Sequence, residues 1–457
     1  MPDSCHEFRR LSRRQAISVG AASALGLSLP SLLRIKDASA ASSSRSFGAA
    51  RSVIFIFLHG GHPQHETWDP KPTSPEDIRG EFKDTATNLP GVRFSELLPR
   101  CAQLADRLAI VRSMRHTNAN HVQACLPAQT GHKHPPSFQS RGDFPPTPTD
   151  FPHFGAVMDH LRETPPGGLP RWVQIGPTMT RNNGTVLHGQ SPGFLGAAHQ
   201  PFVVDQDLTK ADTRIDAVTP NLGVARLQGR RKLLDQIQSQ RRILDRAASN
   251  AKDIHYEKAY QLLTSTATQH AFDLDAEPAA ARARYPANQI GRSCLLARRL
   301  VEAGAPFVNV HWCKTPRGSW DTHSQNFSKM KESLGPNLDH CFATLIEDLE
   351  QRGLLDEVLI VPMAEFGRTP KINGNAGRDH WPFVYTLALC GAGLRRGVVE
   401  GASDRLGGEP ATRAYSPADM AATLYHLLGV PRDTTIFDLA NRPNRLIVGD
   451  PIEPILA

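Results

Sequence analysis

The 457-residue sequence has only seven cysteines, and no two of them form a CxxC pair. After residue 40 it lacks any apolar run long enough to span a membrane, and it contains no internal repeat and no low-complexity tract. Six cysteines remain after the first forty residues, an even number that permits disulfides outside the cytoplasm, but their wide spacing does not suggest a compact disulfide framework. The other absences exclude a transmembrane span in the mature chain and a repeat architecture.

A strong excess of charge is also missing. The formal net charge is +7, and the first forty residues hold six Lys/Arg and three Asp/Glu, which leaves about +4 (7 − 3) for the remainder. This excess is small and evenly spread, so we expect no nucleic-acid partner. With 40% hydrophobic residues, the chain has the composition of a globular protein, and its 457 residues are enough for one large α/β domain or two smaller ones.

The N-terminus has the order of an export signal. A twin-arginine core in RRLSRRQAIS (9–18) precedes an apolar stretch at 16–33, and ASA at 38–40 offers a small-residue cleavage site. The alternative is a basic start followed by a short helix. We predict a twin-arginine signal peptide over 1–40, recognition by the twin-arginine export machinery, and an extracytoplasmic mature protein in the periplasm or at the cell surface.

Apolar runs typical of buried strands alternate with stretches of helical spacing. The alternation predicts an α/β fold with a mostly parallel sheet, in a single domain over 41–457 with a loop and helical subregion at about 134–290. The predicted strands are 52–58, 108–112, 172–175, 307–312, 358–363 and 385–389, and the predicted helices are 95–107, 151–162, 222–247, 255–272, 288–303, 326–352 and 416–428.

The most informative stretch, AEFGRTPKINGNAGRDHWP (364–382), directly follows a predicted strand. Glu365 lies just past the end of this strand, and Asp379 and His380 follow after a Gly- and Asn-rich loop. Ligand sites in open α/β sheets lie off the carboxyl ends of the strands, and this residue set suits a divalent metal. The alternative is a salt-bridged turn, in which Glu365 pairs with Arg368 and Asp379 with Arg378.

Polar clusters follow other predicted strands as well, and strand ends in a parallel sheet share one edge. Carboxylate and imidazole groups there suit Zn²⁺, Mn²⁺ or a similar ion (Mg²⁺ and Ca²⁺ stay open), which acidifies a nucleophile and neutralises a phosphoryl or sulfuryl oxygen. The candidate ligands are Glu66, Asp69, Asp321, His323, Glu365, Asp379 and His380.

Several of these residues have a structural alternative. Asp321 could cap the following helix, and Asp69 before Pro70 could form a turn. Arg368 could bind a substrate oxyanion or pair with Glu365. We expect the histidines of the first loop, His62 and His65, to be solvent-exposed.

The chain resembles the exported domain-of-unknown-function family 1501, which is assigned to the alkaline phosphatase and sulfatase superfamily. The resemblance implies an alkaline phosphatase-like α/β fold, with helices on both faces of a large sheet, and a two-metal site. The matching strings are HGGHPQHETWDPKP (59–72), IRGEFKDTATNLPGV (78–92), SPGFLGAAHQPFVV (191–204), SCLLARRLVEAG (293–304), WDTHSQNF (320–327), EFGRTPKIN (365–373), GRDHWP (377–382) and ATLYHLLGV (422–430).

The superfamily pattern transfers to particular positions. A paired Asp and His from a later strand matches Asp321 and His323, the next strand's carboxylate matches Glu365, and a late His matches His380. The first metal carboxylate of the superfamily follows the first strand, where this chain has His59. The resemblance therefore implies that Glu66 or Asp69 takes that role.

One position departs from the sulfatase pattern. The pattern places a Cys or Ser nucleophile nine residues before a Thr-Gly pair, and the position nine residues before Thr130 holds His121. Thr117 and Cys125 are near but out of register. A covalent mechanism needs an activated hydroxyl or thiol, so its absence leaves two hypotheses.

The first hypothesis is an exported metal-dependent hydrolase of a phosphate or sulfate ester, with metal-bound water as nucleophile and a small molecule or glycan ester as substrate. His121 would act as base or oxyanion partner, and Arg368 and Lys71 would hold the substrate anion. The alternative is a non-catalytic extracytoplasmic binding or assembly protein that keeps the sulfatase-like fold.

Overall fold

The computed structural model describes residues 45–136, 142–163, 165, 168–181, 183–210, 215, 218, 226, 229–233, 260, 262–313 and 320–457. The predicted signal peptide (1–40) and most of the predicted helix 222–247 lie outside the described residues. Within the described residues no helix combines the length and the apolar character needed to cross a membrane.

The described strands alternate with helices along the chain, as predicted. They are β1 (Ser52–Phe57), β2 (Asp84–Ala86), β3 (Arg93–Ser95), β4 (Leu108–Met114), β5 (Trp172–Ile175), β6 (Phe202–Val204), β7 (Phe307–His311), β8 (Val358–Met363), β9 (Gly367–Arg368), β10 (His380–Trp381), β11 (Tyr385–Gly391), β12 (Val398–Glu400), β13 (Thr435–Phe437) and β14 (Pro443–Arg445).

An eight-stranded sheet organises the domain, in the order β12-β4-β11-β8-β1-β7-β5-β6. Its centre, β1, pairs in parallel with β7 on one side and β8 on the other. Among the described strands of this sheet, β11 alone is antiparallel to its neighbours, β4 and β8. The mostly parallel sheet expected from the sequence is confirmed.

Helices cover both faces of this sheet. They are α1 (Glu76–Arg79), α2 (Pro99–Ala102), α3 (His121–Thr130), α4 (Phe154–Leu161), α5 (Thr266–Phe272), α6 (Ala279–Ala283), α7 (Gln289–Glu302), α8 (Asn326–Lys329), α9 (Gly335–Gln351) and α10 (Pro417–Leu427).

The alternation of side chains along β1 explains the two layers. Ile54 and Ile56 pack into one apolar core with α7 and α9, whereas Val53 and Phe55 pack into the other with α3, α4 and α10. Successive side chains of a strand point to opposite faces, so an unbroken apolar run is the pattern of a strand buried on both sides.

Two predicted helices are divided in the structure. The segment 95–107 forms only α2 and a 3₁₀ turn at Ala105–Arg107. The segment 326–352 forms α8, a π-helical turn at Met330–Leu334, and α9. Pro336 follows this turn, and proline has no N–H for an α-helical hydrogen bond, which favours the locally widened ladder.

The segment 134–290, expected to be a loop and helical subregion, also contributes strands β5 and β6 to the main sheet. The six cysteines that follow the predicted signal are buried free thiols. Burial of Cys294 and Cys390 agrees with their apolar sequence context.

A buried ion cluster joins α7 and α9 to the chain before α6. The carboxylate of Glu277 lies 2.7 Å from a nitrogen of Arg298 and accepts hydrogen bonds from Arg299 at 2.6 Å and from Arg352 at 2.7 Å. The side chains of Glu277 and Arg298 are almost fully buried. Removing one partner of such a cluster leaves buried charge without compensation.

We predict that Glu277→Gln lowers the free energy of unfolding by about 3–5 kcal/mol. The matched control is Glu357→Gln, which breaks an exposed pair with Arg51 and should cost less than about 1 kcal/mol. Urea unfolding followed by circular dichroism measures both. Equal midpoints for the two variants would contradict the structural role of the cluster.

Candidate metal centre

The candidate site lies where β1, β7 and β8 end side by side. The chain leaves β1 through His59, Gly60 and Gly61, and this turn packs against the segment that follows β7. Gly60 has φ +115°, and a Cβ there would lie 2.2 Å from the Asp321 nitrogen. Only glycine permits this approach, which brings the end of β1 to Asp321.

The carboxylate of Asp321 is the hub of the site. Its Oδ1 lies 2.6 Å from an Arg368 nitrogen, 3.1 Å from His380 Nε2 and 3.2 Å from His323 Nε2. Burial raises the pKa of Asp321, but hydrogen bonds to His121, His323 and His380 outweigh it and hold that pKa well below its ordinary value. Asp321 is therefore an ionised carboxylate surrounded by imidazole rings.

His323 and His380 point the same ring nitrogen at this hub. The Nδ1 of His380 lies 2.7 Å from the Ala119 carbonyl oxygen, and the Nδ1 of His323 lies 2.6 Å from Asp379 Oδ1. Because a carbonyl and an ionised carboxylate accept hydrogen bonds, both rings carry a proton on Nδ1. Their Nε2 atoms lie 2.9 Å apart and face Asp321 Oδ1. A ring that donates to this carboxylate carries a proton on Nε2 as well, and loss of that proton would leave a lone pair able to hold a metal.

The sheet register brings Arg368 and His380 to the hub together. Arg368 of β9 pairs with His380 of β10 in a short antiparallel ladder. Directly opposed residues in such a ladder project on the same side, so both side chains reach Asp321. The loop between them is fixed by Asn373, whose Nδ2 donates to the His323 carbonyl oxygen at 2.9 Å.

His121 is the first residue of α3, and Asn120 caps this helix by accepting from Val122 N and Gln123 N. The ring lies between two carboxylates: Nδ1 is 2.7 Å from Glu365 Oε1, and Nε2 is 3.3 Å from Asp321 Oδ2. Burial lowers the pKa of His121, but these two carboxylates outweigh it and leave that pKa above its ordinary value.

His59 also joins the site, although the sequence analysis did not select it as a ligand. Its ring is buried, and its centroid lies 5.3 Å from that of His121. Burial lowers the pKa of His59 to about 4, so the ring is neutral. The sequence did contain a signal for His59 as a ligand, because this residue directly follows the first predicted strand, where the superfamily pattern places a metal ligand.

Two overlapping groups could hold a metal ion. One consists of His121, Asp321 and His380, and the other of His59, His121 and Glu365; within each group the ligand atoms lie within 4.8 Å of one another. Glu365 Oε2 is buried without a hydrogen-bond partner among the described residues. Imidazole and carboxylate donors suit Zn²⁺ and related ions, so the residues present fit a divalent metal.

Arg368 is engaged by the protein itself. Its buried guanidinium donates to the carbonyl oxygens of Gly60, Gly61 and Arg378 and to Asp321. The side chain therefore fastens the end of β1 to the hub.

The salt-bridged turn considered as an alternative is not the arrangement observed. Glu365 accepts from the Gly60 nitrogen at 2.8 Å and contacts His121, and Asp379 contacts His323. The guanidinium of Arg378 instead meets Glu66, with an N···O distance of 2.6 Å.

The structure does not bring Glu66 and Asp69 into the groups that could hold a metal. Glu66 is enclosed by the Arg378 pair, and Asp69 accepts from Lys71 at 2.9 Å and from the Ser403 hydroxyl. The loop after β1 folds back onto 378 and 403, so these carboxylates are used in structural ion pairs and hydrogen bonds. Lys71 is held by Asp69, and His62 and His65, expected to be exposed, are buried.

The chain matches the family described as "Protein of unknown function (DUF1501)" over residues 50–456. It belongs to this family. A search of the curated proteins found no match.

Among solved structures, the chain is similar to Ps i-CgsB in complex with k-i-k-neocarrahexaose, with 12% identity, TM-score 0.42, and coverage of 88% of this chain and 75% of that one. It is also similar to a protein in the alkaline phosphatase superfamily from Vibrio parahaemolyticus, with 12% identity, TM-score 0.39, and coverage of 91% of this chain and 72% of that one. A third similar structure is the phosphonate monoester hydrolase SpPMH from Silicibacter pomeroyi, with 12% identity, TM-score 0.38, and coverage of 89% of this chain and 76% of that one.

In this DUF1501 member, the Thr-Gly pair is a helix end. Thr130 closes α3, and Gly131 terminates it with φ +78°, where a Cβ would lie 2.4 Å from Ala421 Cβ. Nine residues earlier, His121 begins the same helix. The nearby thiol, Cys125, is fully buried, and this burial holds its pKa well above the ordinary value, so it is not an activated nucleophile.

Because Glu66 is enclosed by Arg378, we predict that Glu66→Gln lowers the free energy of unfolding by about 3–5 kcal/mol and leaves the metal content at saturation unchanged. Urea unfolding and elemental analysis of the folded protein measure the two effects. Glu409→Gln, which breaks an exposed pair with Arg115, is the control for stability. A folded Glu66→Gln protein with reduced metal content would restore Glu66 as a ligand.

The carboxylate of Asp379 accepts a hydrogen bond from Nδ1 of His323 and so orients the His323 ring. We predict that Asp379→Asn weakens metal affinity by about 10–100-fold while the protein stays folded, because the ring loses this support. Competition with a chromophoric chelator measures the affinity. Asp356→Asn, at an exposed carboxylate paired with Arg396, is the control and should bind metal as the parent does. Unchanged affinity in Asp379→Asn would show that this contact does not support the centre.

Proposed function

We propose that this DUF1501 protein is an exported metal-dependent hydrolase of a phosphate or sulfate ester, working outside the cytoplasm after twin-arginine export. One observation carries the proposal: three imidazole rings direct Nε2 toward the ionised carboxylate of Asp321 at the ends of adjacent parallel strands. The residues that would hold a divalent ion there are Asp321, His323, His380 and His121.

A divalent ion held at this centre would act as a Lewis acid, polarising the ester oxygen and making water a stronger nucleophile at neutral pH. The protein contributes position. Ala119 and Asp379 fix the tautomers of His380 and His323, and Arg368 holds Asp321 against the turn after β1. Such oriented groups need no rearrangement when charge develops on the reacting ester.

Among the described residues, the centre is open on the side of His323 and Asp379. The His323 side chain is 45% exposed and that of Asp379 is 52% exposed, whereas those of Glu365 and Arg368 are fully buried. We infer that the ester approaches from the His323 side. Water reaches the site from the same side, which supports direct hydrolysis in a chain without a hydroxyl or thiol nucleophile at position 121.

In this proposal His121 is a metal ligand and not the catalytic base. The expected role as base or oxyanion partner requires a ring nitrogen that faces the substrate. Its two nitrogens face Glu365 and Asp321 instead, which supports a role in holding the centre together.

A binding or assembly role is the second candidate. It is favoured by the engagement of both cations once expected to hold the substrate anion: Arg368 donates to three carbonyl groups and Asp321, and Lys71 donates to Asp69. A protein of this kind would keep the metal centre without turnover.

The deciding experiment measures metal and turnover in the purified mature chain. We expect a tightly held divalent ion by elemental analysis, an increase in thermal stability on metal addition, and hydrolysis of a member of a panel of aryl phosphates and sulfates. His323→Ala and His380→Ala should each lose metal and reduce kcat by at least about 100-fold.

The outcomes separate the candidates. Metal and thermal stabilisation without turnover on the whole panel favour the binding protein. Failure of the folded parent to take up metal under any loading condition rejects the centre itself.

A further inference from the structure

A further group of metal-ligating side chains lies outside the centre at Asp321. His134, Asp150 and His188 are buried, and one ligand atom of each lies within 4.8 Å of the others. His134 follows α3, Asp150 precedes α4, and His188 lies between β5 and β6. None of them belongs to the strand ends that form the centre, so three segments that are distant in the sequence meet at a separate polar point inside the protein.

This group lies beside the second half of α3, whereas His121 and the centre lie at the start of that helix. The His188 carbonyl oxygen accepts from Gln129 Nε2 at 3.2 Å, and a Cβ on Gly189 would lie 2.8 Å from the Cys125 carbonyl oxygen. At about 1.5 Å per residue, Gln129 lies roughly 12 Å along the helix axis from His121. The two places are therefore distinct and share no residue.

The carboxylate of Asp150 brings a negative charge into this buried place. Burial raises the pKa of Asp150, but hydrogen bonds from His188 and Thr147 outweigh it and hold that pKa below its ordinary value. No Lys or Arg forms an ion pair with Asp150 in the part of the chain that the structure describes, and the carboxylate lies 2.5 Å from His188 Nδ1. Buried charges are paired or coordinate metals, and here the pairing partner is itself a metal-ligating group.

Neighbouring polar groups hold His188 and Asp150 in the orientation of ligands. His188 Nε2 donates to the Phe144 carbonyl oxygen at 3.0 Å, so Nδ1 is the atom that faces Asp150. The Thr147 hydroxyl donates to Asp150 Oδ1 at 2.7 Å. Metal-bound histidines usually donate their second N–H to a carbonyl or carboxylate, and metal-bound carboxylates accept further hydrogen bonds. Loss of the proton between His188 and Asp150 would leave two facing lone pairs for an ion.

His134 completes the group. Its ring stands nearly perpendicular to that of His188, with centroids 4.5 Å apart. Burial lowers the pKa of His134 to about 4, so the ring is neutral at pH 7 and one of its nitrogens is an acceptor. The Phe144 ring lies 5.3 Å from the His134 ring and 4.6 Å from the His188 ring, and it gives both an apolar cover. A cavity of about 100 Å³ adjoins His134 and offers an ion and its bound water a way in.

We propose that His134, Asp150 and His188 form a further metal site, which joins their three segments beside α3. Two imidazoles and one carboxylate suit Zn²⁺, Co²⁺ or Cu²⁺ better than Mg²⁺ and Ca²⁺, which prefer oxygen ligands. Three protein ligands leave the fourth position of a tetrahedral Zn²⁺ to water. The site goes beyond the proposed hydrolase, because it shares no residue with the centre at Asp321.

Zinc content tests the further site. The parent and its variants are stripped of metal, loaded with Zn²⁺, desalted and measured by elemental analysis. We expect His134→Gln to hold one Zn²⁺ fewer per chain than its parent, both alone and in a His323→Ala/His380→Ala background. The matched control is His132→Gln, two residues away, because His132 contacts the Leu446 carbonyl oxygen and lies in no metal-ligating group; it should lose no ion. Equal zinc content in His134→Gln and the parent would overturn the site.

Anomalous scattering at the zinc absorption edge locates the ion without depending on any variant. Crystals of the Zn²⁺-loaded parent should show a peak about 2.0–2.2 Å from a ring nitrogen of His134, a ring nitrogen of His188 and an oxygen of Asp150. The absence of a peak there, with His188 still hydrogen-bonded to Asp150, would show that the group is a buried ion pair only and would reject the proposal.

The two proposals fail separately. A peak at His134 without one at Asp321 rejects the metal centre and keeps the further site, whereas the reverse pattern rejects the further site alone. A parent chain that takes up no Zn²⁺ rejects both. Circular dichroism of each variant ensures that a lost ion is not the result of a lost fold.

Discussion

The carboxylate of Asp321 is the contact on which the site depends. Arg368 and three histidines meet it from four separate stretches of the chain: β9, β10, the start of α3, and the segment just after Asp321 itself. The turn after β1 is tied to the same carboxylate through Arg368. A side chain that joins so many distant segments organises the polar edge of the sheet, while the two apolar cores hold its faces.

Backbone contacts make this convergence possible. A Cβ on Gly60 would strike the backbone at Asp321, and a Cβ on Gly377 would lie 2.0 Å from the His323 carbonyl oxygen. These two glycines let the turn after β1 and the loop before β10 close on the segment 320–323 from opposite directions. Among the candidate ligands, His380 lies in β10 and His121 begins α3, whereas Asp321 and His323 lie in the connection between β7 and α8 and depend on these close backbone contacts for their position.

Much of the fold could be predicted because its signals are local. Apolar runs identified the buried strands, and the parallel arrangement implied a shared edge for Asp321, His323, Glu365 and His380, which the structure brings together. The positions of Glu66 and Asp69 could not be predicted, since they depend on the distant partners Arg378 and Ser403. His59 could not be assigned as a ligand because a carboxylate was expected at that strand end, and the next carboxylates along the chain, Glu66 and Asp69, fitted this expectation better than an imidazole.

The charge balance of the buried edge explains why His121 lies where it does. Asp321 has Arg368 as a cationic partner, but Glu365 is completely buried and no Lys or Arg pairs with it among the described residues. The negative charge of the buried Glu365 carboxylate therefore requires a positive partner nearby. The carboxylates of Asp321 and Glu365 raise the pKa of His121, which lies between them, and a raised pKa favours the protonated ring in the metal-free protein. A bound divalent ion would meet the same demand, and because metal binding displaces protons from its ligands, the ring nitrogens would then be available to hold it. A hydroxyl at this position would have a single proton to donate, whereas a protonated imidazole has an N–H on each side and can face Glu365 and Asp321 at the same time.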